Sequence, residues 1–224
     1  MKTKNLHDWD LSYSQARELQ AGLAGEVRFT PLGSSPKVVA GIDCAFSKDG
    51  EKILAAVVVL SLPDFELVET VSAVREVTFP YIPGLLSFRE APVCIAAVEK
   101  LTSRPDVFII DGQGIAHPRR LGLAAHLGLF FDEPTIGCAK SRLTGDFEEP
   151  PLEKGGHTFL KAQSETIGAV VRTRTGVKPV FVSVGNKCVL DDAIRIVLTC
   201  ALKYHLPEPT RLAHKAVGKL KLKS

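Results

Sequence analysis

Val38-Val39-Ala40-Gly41-Ile42-Asp43-Cys44-Ala45-Phe46-Ser47-Lys48-Asp49-Gly50-Glu51-Lys52-Ile53-Leu54-Ala55-Ala56-Val57-Val58-Val59-Leu60-Ser61 is the stretch whose reading decides the fold. Two apolar runs rich in β-branched residues flank the polar join Lys48-Asp49-Gly50-Glu51, which has turn chemistry. The runs predict strands over 37–45 and 53–61. A second turn at Leu62-Pro63-Asp64 leads to a third strand over about 65–75. Three strands joined by short turns assemble most simply as an antiparallel meander.

Outward from the meander, residues 11–25 hold good helix formers with Gly25 placed to stop the last turn. Downstream, Cys94, Ala97, Val98 and Leu101 share one helical face, and 107–110 predicts a short buried strand. A short helix near 120–127 and a strand over 135–139 follow. A hairpin comes next, with arms 166–173 and 178–183 around Arg174-Thr175-Gly176. Residues 189–204 place Leu190, Ile194, Val197, Leu198, Ala201 and Leu202 on one stripe, a strongly amphipathic helix that Pro207 ends. The loop 141–160, with Pro150, Pro151, Gly155 and Gly156, reads as an exposed excursion. Meander, helix, then further central strands is the order of an α/β, ribonuclease H-like fold: a central mixed sheet with flanking helices, in a single domain over 1–224.

The chain has 224 residues, 45% hydrophobic and 24% charged, as expected of one globular core. No apolar run reaches the roughly 20 residues that span a bilayer, and the first ten residues lack the apolar core of a signal peptide, so a cytoplasmic location is expected. Five cysteines, odd in number and set in apolar runs, read as reduced and buried, neither zinc ligands nor a disulfide frame. Net charge is only +3, but Arg211, His214, Lys215, Lys219, Lys221 and Lys223 follow Glu208 with no acid among them. Such a segment suits a phosphate backbone, although charge alone describes a solvated tail equally well.

Charged positions stand where the apolar runs end. Asp43 and Asp111 leave the ends of predicted strands, Glu90 precedes a helical stretch, and His117 follows Asp111 by six residues. Open α/β sheets place their ligands at strand ends, and carboxylate oxygens are the hard donors that Mg²⁺ or Mn²⁺ prefers. The chemistry this suggests is metal-assisted phosphodiester hydrolysis. Taken singly, each acid has a plainer role: Asp43 and Asp111 as turn or cap residues, and Glu90 as the partner of Ser87 in a capping box.

Four stretches together resemble the endonuclease V family, the deoxyinosine-specific endonucleases. They are Val39-Ala40-Gly41-Ile42-Asp43; Pro80-Tyr81-Ile82-Pro83-Gly84-Leu85-Leu86-Ser87-Phe88-Arg89-Glu90; Asp111-Gly112-Gln113-Gly114-Ile115-Ala116-His117-Pro118-Arg119-Arg120; and Gly137-Cys138-Ala139-Lys140 with Pro207-Glu208-Pro209-Thr210-Arg211-Leu212-Ala213-His214. The resemblance runs from about residue 10 to 220. It implies a Mg²⁺-dependent DNA repair endonuclease, with Mn²⁺ as a substitute. Such an enzyme recognises hypoxanthine and nicks at the second phosphodiester bond 3′ to it. By the same resemblance Asp43 and Asp111 are metal carboxylates. Glu90 is the third catalytic acid, acting on water at the metal and on the 3′ leaving oxygen. Lys140 and His214 stand beside the scissile phosphate, where a cation and an imidazole offset developing charge.

Pro80-Tyr81-Ile82-Pro83 is a stiff loop with an apolar tip, suited to fill the gap left by an extruded base. Gly84, Gly112, Gly122 and Gly137 would let main-chain groups approach that base, Leu86 would floor its pocket, and His117 is either a phosphate or metal-shell contact or a loop histidine bonded to backbone. Gly185-Asn186-Lys187 departs from the Gly-His pair of many relatives, and 153–166 is only loosely related. The expected partner is deoxyinosine-containing DNA, with the protein acting as a monomer away from membranes. Inosine-containing RNA and binding without cleavage are the alternatives.

Overall fold

The computed structural model describes residues 1–222. In the predicted meander, β1 (Val38–Phe46), β2 (Lys52–Ser61) and β3 (Leu67–Glu76) pair antiparallel, with Asp43 opposite Ala56 and Val57 opposite Val71. β2 is buried along nearly its whole length, as its continuous apolar run requires.

α1 (Tyr13–Ala24) begins with a capping box between Ser12 and Gln15. Beyond the meander come α2 (Leu86–Val98), β4 (Val107–Ile110), α3 (Leu123–Phe131) and β5 (Thr135–Ala139). β4 lies parallel to both β1 and β5, so the C-terminal ends of three strands open on the same edge. β6 (His157–Ala162), β7 (Glu165–Val171) and β8 (Val180–Asn186) complete an eight-stranded mixed sheet in the order β3-β2-β1-β4-β5-β8-β7-β6. α2 and α3 cover one face around Ile42, Phe108 and Ile110. On the other face α4 (Leu190–Cys200) and α5 (Glu208–Lys221) pack against residues such as Val39, Ile109 and Val182.

Four expectations need correction. Glu90 lies inside α2, not before a helix, and the Ser87–Glu90 capping box does not form, because the helix starts two residues earlier, behind Leu85, with Pro92 in its interior. The stripe over 189–204 stops as a helix at Cys200; a bend over 201–207 intervenes before α5. α5 itself takes the place of a solvated tail as far as Lys221, burying Ala213 and Val217; Lys223 lies outside the described residues. β6 occupies the end of the expected excursion. Only Leu160 of its six residues is buried, so its apolar pattern is too thin to read as a strand.

Candidate active site

Two parallel strands bring the carboxylates together. Ile42 of β1 stands beside Ile110 of β4, and the Asp111 N–H donates to the Ile42 carbonyl at 3.0 Å, so Asp43 and Asp111 leave adjacent strand ends. Strand alternation then sorts the side chains by face. Asp43 points with Val39 and Gly41 toward α5, where its Oδ2 lies 2.7 Å from His214 Nδ1. Cys44 points the other way, toward α2, which carries Glu90. Lys140, one residue past β5, donates from Nζ to Asp111 Oδ2 at 2.5 Å.

Gly41 makes this possible. A Cβ there would collide with the backbone of Pro209 and Thr210, so the bare α-carbon lets the start of α5 lie directly on β1 and brings His214 over Asp43.

Asp43, Asp111 and His214 offer ligand atoms within 4.8 Å of one another. Burial, followed by the charge of Asp111, raises the Asp43 pKa, and the His214 bond only partly opposes them. Two carboxylates driven against each other in a half-dry site form a donor set that a hard divalent cation fits. Burial also brings Lys140 under pressure to lose its proton, but the bond and charge of Asp111 and the charge of Asp43 outweigh it and raise the pKa.

Glu90 is pushed up to about 7 by burial, then by the charge of Asp43. A carboxyl at about 7 when folded and 4.5 otherwise binds an extra proton in the native state between those values, so stability falls as pH rises through that window and stays lower above it. Glu90→Gln therefore stabilises the metal-free protein at pH 8 by on the order of 3 kcal/mol and has little effect at pH 4. Urea titrations in chelator at both pH values check this; equal shifts at the two would exclude Glu90 as the buried charge.

A cleft of about 540 Å³ opens over the acids, lined among others by Asp43, Glu90, Asp111, Lys140 and His214. Of the residues expected to contact substrate, Tyr81, Ile82, Pro83, Gly84, Leu86, Gly112, His117 and Gly122 also line it. Gly137 does not: it is buried, and it is glycine because a Cβ would strike the backbone of residues 112–114. Gly122 has the same reason for lacking a side chain, against the Gln113 and Gly114 carbonyls. Tyr81 is 68% exposed, whereas Ile82 packs on Phe79, Leu85 and Phe88, so of the two side chains between the prolines only Tyr81 projects from the loop.

His117 takes the backbone-bonded form. Its Nδ1 accepts from the Arg119 N–H, and burial followed by the charge of Arg119 lowers its pKa to about 4, which the Gly84 backbone only partly opposes. Gln20 and Arg119, which the sequence did not single out, both donate to the Gly84 carbonyl, at 2.9 and 2.7 Å. They pin the tyrosine loop to α1. Buried Gln20 was legible only as one of the helix formers of 11–25. Asn186, in the turn that departs from relatives, bonds Arg28 and Gly128 and braces the fold outside the cleft.

Comparison with known proteins identifies the family and the fold. The endonuclease V sequence model matches residues 21–215. This chain belongs to the endonuclease V family. It is 49% identical over 220 residues to the endonuclease V of Dehalococcoides mccartyi strain BAV1, covering 98% of this chain and 99% of that one. The crystal structure of endonuclease V from Streptomyces avermitilis superposes with a TM-score of 0.92 at 40% identity, covering 96% of this chain and 95% of that one. Endonuclease V of Ciona intestinalis, in complex with a 24mer DNA containing an inosine followed by a ribo-adenosine, superposes with a TM-score of 0.79 at 29% identity, covering 94% and 98%. The chain is thus a nuclease with a ribonuclease H-like fold, and no helix among its described residues is long and apolar enough to cross a membrane.

Proposed function

We propose that this endonuclease V acts as a single-domain monomer on deoxyinosine in DNA, depends on Mg²⁺ with Mn²⁺ as substitute, and hydrolyses the second phosphodiester bond 3′ to the lesion. The carrying observation is the convergence of Asp43, Asp111 and His214 within 4.8 Å at the floor of a cleft rimmed by exposed Tyr81. The inosine-containing DNA bound by the Ciona relative supports the choice of substrate. Asp43 and Asp111 would hold the cation through carboxylate oxygens. When bound, it supplies positive charge for the phosphate oxygens and acidifies water.

The protein's own groups do the rest. Glu90, with its pKa near 7, accepts the proton of the attacking water at neutral pH. The Lys140 ammonium, held by Asp111, and the His214 imidazole, held by Asp43, place donors where phosphoryl charge grows as the bond to O3′ breaks. Tyr81 fills the stack left by the extruded base, and the backbone of Gly84, Gly112 and Gly122 lies along the pocket with Leu86. The ribo-adenosine in the Ciona complex favours one second reading, inosine-containing RNA.

End-labelled duplexes and RNAs with and without inosine, incubated with and without Mg²⁺, test this. A Mg²⁺-dependent cut one nucleotide beyond the lesion's 3′ neighbouring bond is expected; equal cutting of undamaged strands would refute the proposal. Tyr81→Ala weakens cleavage of duplex by about tenfold more than of single strands, because a single strand has less stacking to replace. Equal losses in parallel time courses would remove the wedge role.

A further inference from the structure

A line of three side chains runs from the cleft wall into the core behind it, apart from the acidic cluster. Ser87, in the first turn of α2, lines the cleft. Its Oγ is 3.2 Å from Nδ1 of His126, a fully buried residue of α3. His126 Nε2 is 2.9 Å from His7 Nε2, and His7 Nδ1 ends the line 2.7 Å from the Asp8 carbonyl.

The last contact orients all the others. A backbone carbonyl only accepts, so His7 Nδ1 carries a proton. Burial lowers the His7 pKa and takes that of His126 down to about 3, so each ring is neutral at pH 7 with a single N–H. His7 Nε2 is therefore bare and accepts from His126 Nε2–H. His126 Nδ1 is then bare as well, and the proton in its bond to Ser87 comes from the serine hydroxyl. Every proton on the line points inward, leaving Ser87 Oγ with lone pairs only.

We propose that Ser87 Oγ is a fixed acceptor that reads N1–H of the extruded hypoxanthine, with His126 and His7 as positioning residues. This rests on the deoxyinosine reading above. A deoxyinosine within a strand has a single conventional donor, N1–H: its sugar oxygens are esterified or in the ring, and O6, N3 and N7 accept. A freely rotating hydroxyl would serve a donor or an acceptor alike, whereas one whose proton is held by His126 opposes the N1 lone pair of adenine. Sites built to bond a substrate group reject analogues lacking it more strongly than apolar pockets do.

The test pairs the parent and Ser87→Ala with duplexes identical except for deoxyinosine or 2′-deoxynebularine, a purine lacking both N1–H and O6. Affinities are read by fluorescence anisotropy in chelator. Loss of O6 is common to both proteins and cancels in the ratio. Ser87→Ala is expected to lose about tenfold on deoxyinosine and to stay within about twofold of the parent on deoxynebularine. Equal losses on both probes, or none on deoxyinosine, overturn the assignment. A second readout does not depend on the variant: ¹⁵N shifts of the full parent chain are expected to give His126 as the Nε2–H tautomer, and a proton on Nδ1 overturns the proposal. A parent with no preference for deoxyinosine over undamaged duplex would instead sink the deoxyinosine reading itself, and this assignment with it.

Discussion

Asp111→Asn lowers Mg²⁺-dependent nicking of deoxyinosine duplex by about a thousandfold or more, and Asp43→Asn does the same, while both proteins still bind the lesion. The amide is a poor ligand for a hard cation, yet it keeps the shape of the carboxylate. Its oxygen still accepts from Lys140 at residue 111 and from the Cys44 N–H at residue 43, so the cleft is preserved. Asp43→Asn also removes a carboxylate whose pKa burial raises, so its unfolding midpoint at pH 8 holds or rises. Activity lost with stability kept is the signature of a chemical role. Single-turnover nicking, anisotropy binding and urea titration on the same preparations measure it. Near-parental nicking by either variant would remove the metal assignment.

Gly41→Val unfolds or severely destabilises the protein, with an expected cost of about 3 kcal/mol or more. The obstacle is backbone, not a mobile side chain: the added carbons meet Pro209 and Thr210 at the start of α5. Either β1 or α5 must move, and α5 carries His214. Gly41→Ala, with a single added carbon, is the milder probe. It should stay folded in the cold, lose nicking by withdrawing His214 from Asp43, and melt well below the parent. Urea midpoints and nicking rates decide this, and parental values in both would mean that α5 does not rest on β1 as described.

Local chemistry was enough for the strands and for the acids at their ends. The meander was legible because β2 is an unbroken apolar run between two turns, and the α/β class followed from the order of elements. Asp43, Asp111, Glu90 and His117 were visible as charged positions beside apolar runs, while Lys140 and His214 stood out only through motifs resembling a family. Elements with little apolar patterning were less legible. β6 buries one residue, and α5 opens with prolines that read locally as a loop.

What the sequence by itself determined is the meander, the α/β class and the strand ends at which Asp43 and Asp111 stand, because these depend on apolar patterning close along the chain. Tertiary structure alone decided which side chains meet. The Asp43–His214 bond joins positions 171 apart and exists because β1 alternation and the missing side chain of Gly41 let α5 settle there. Glu90 acquires its raised pKa, and His126 and His7 their lowered ones, only when packing removes water from groups that sequence places far apart. Burial and direction of hydrogen bonding are properties of three-dimensional surroundings, and no local pattern encodes them.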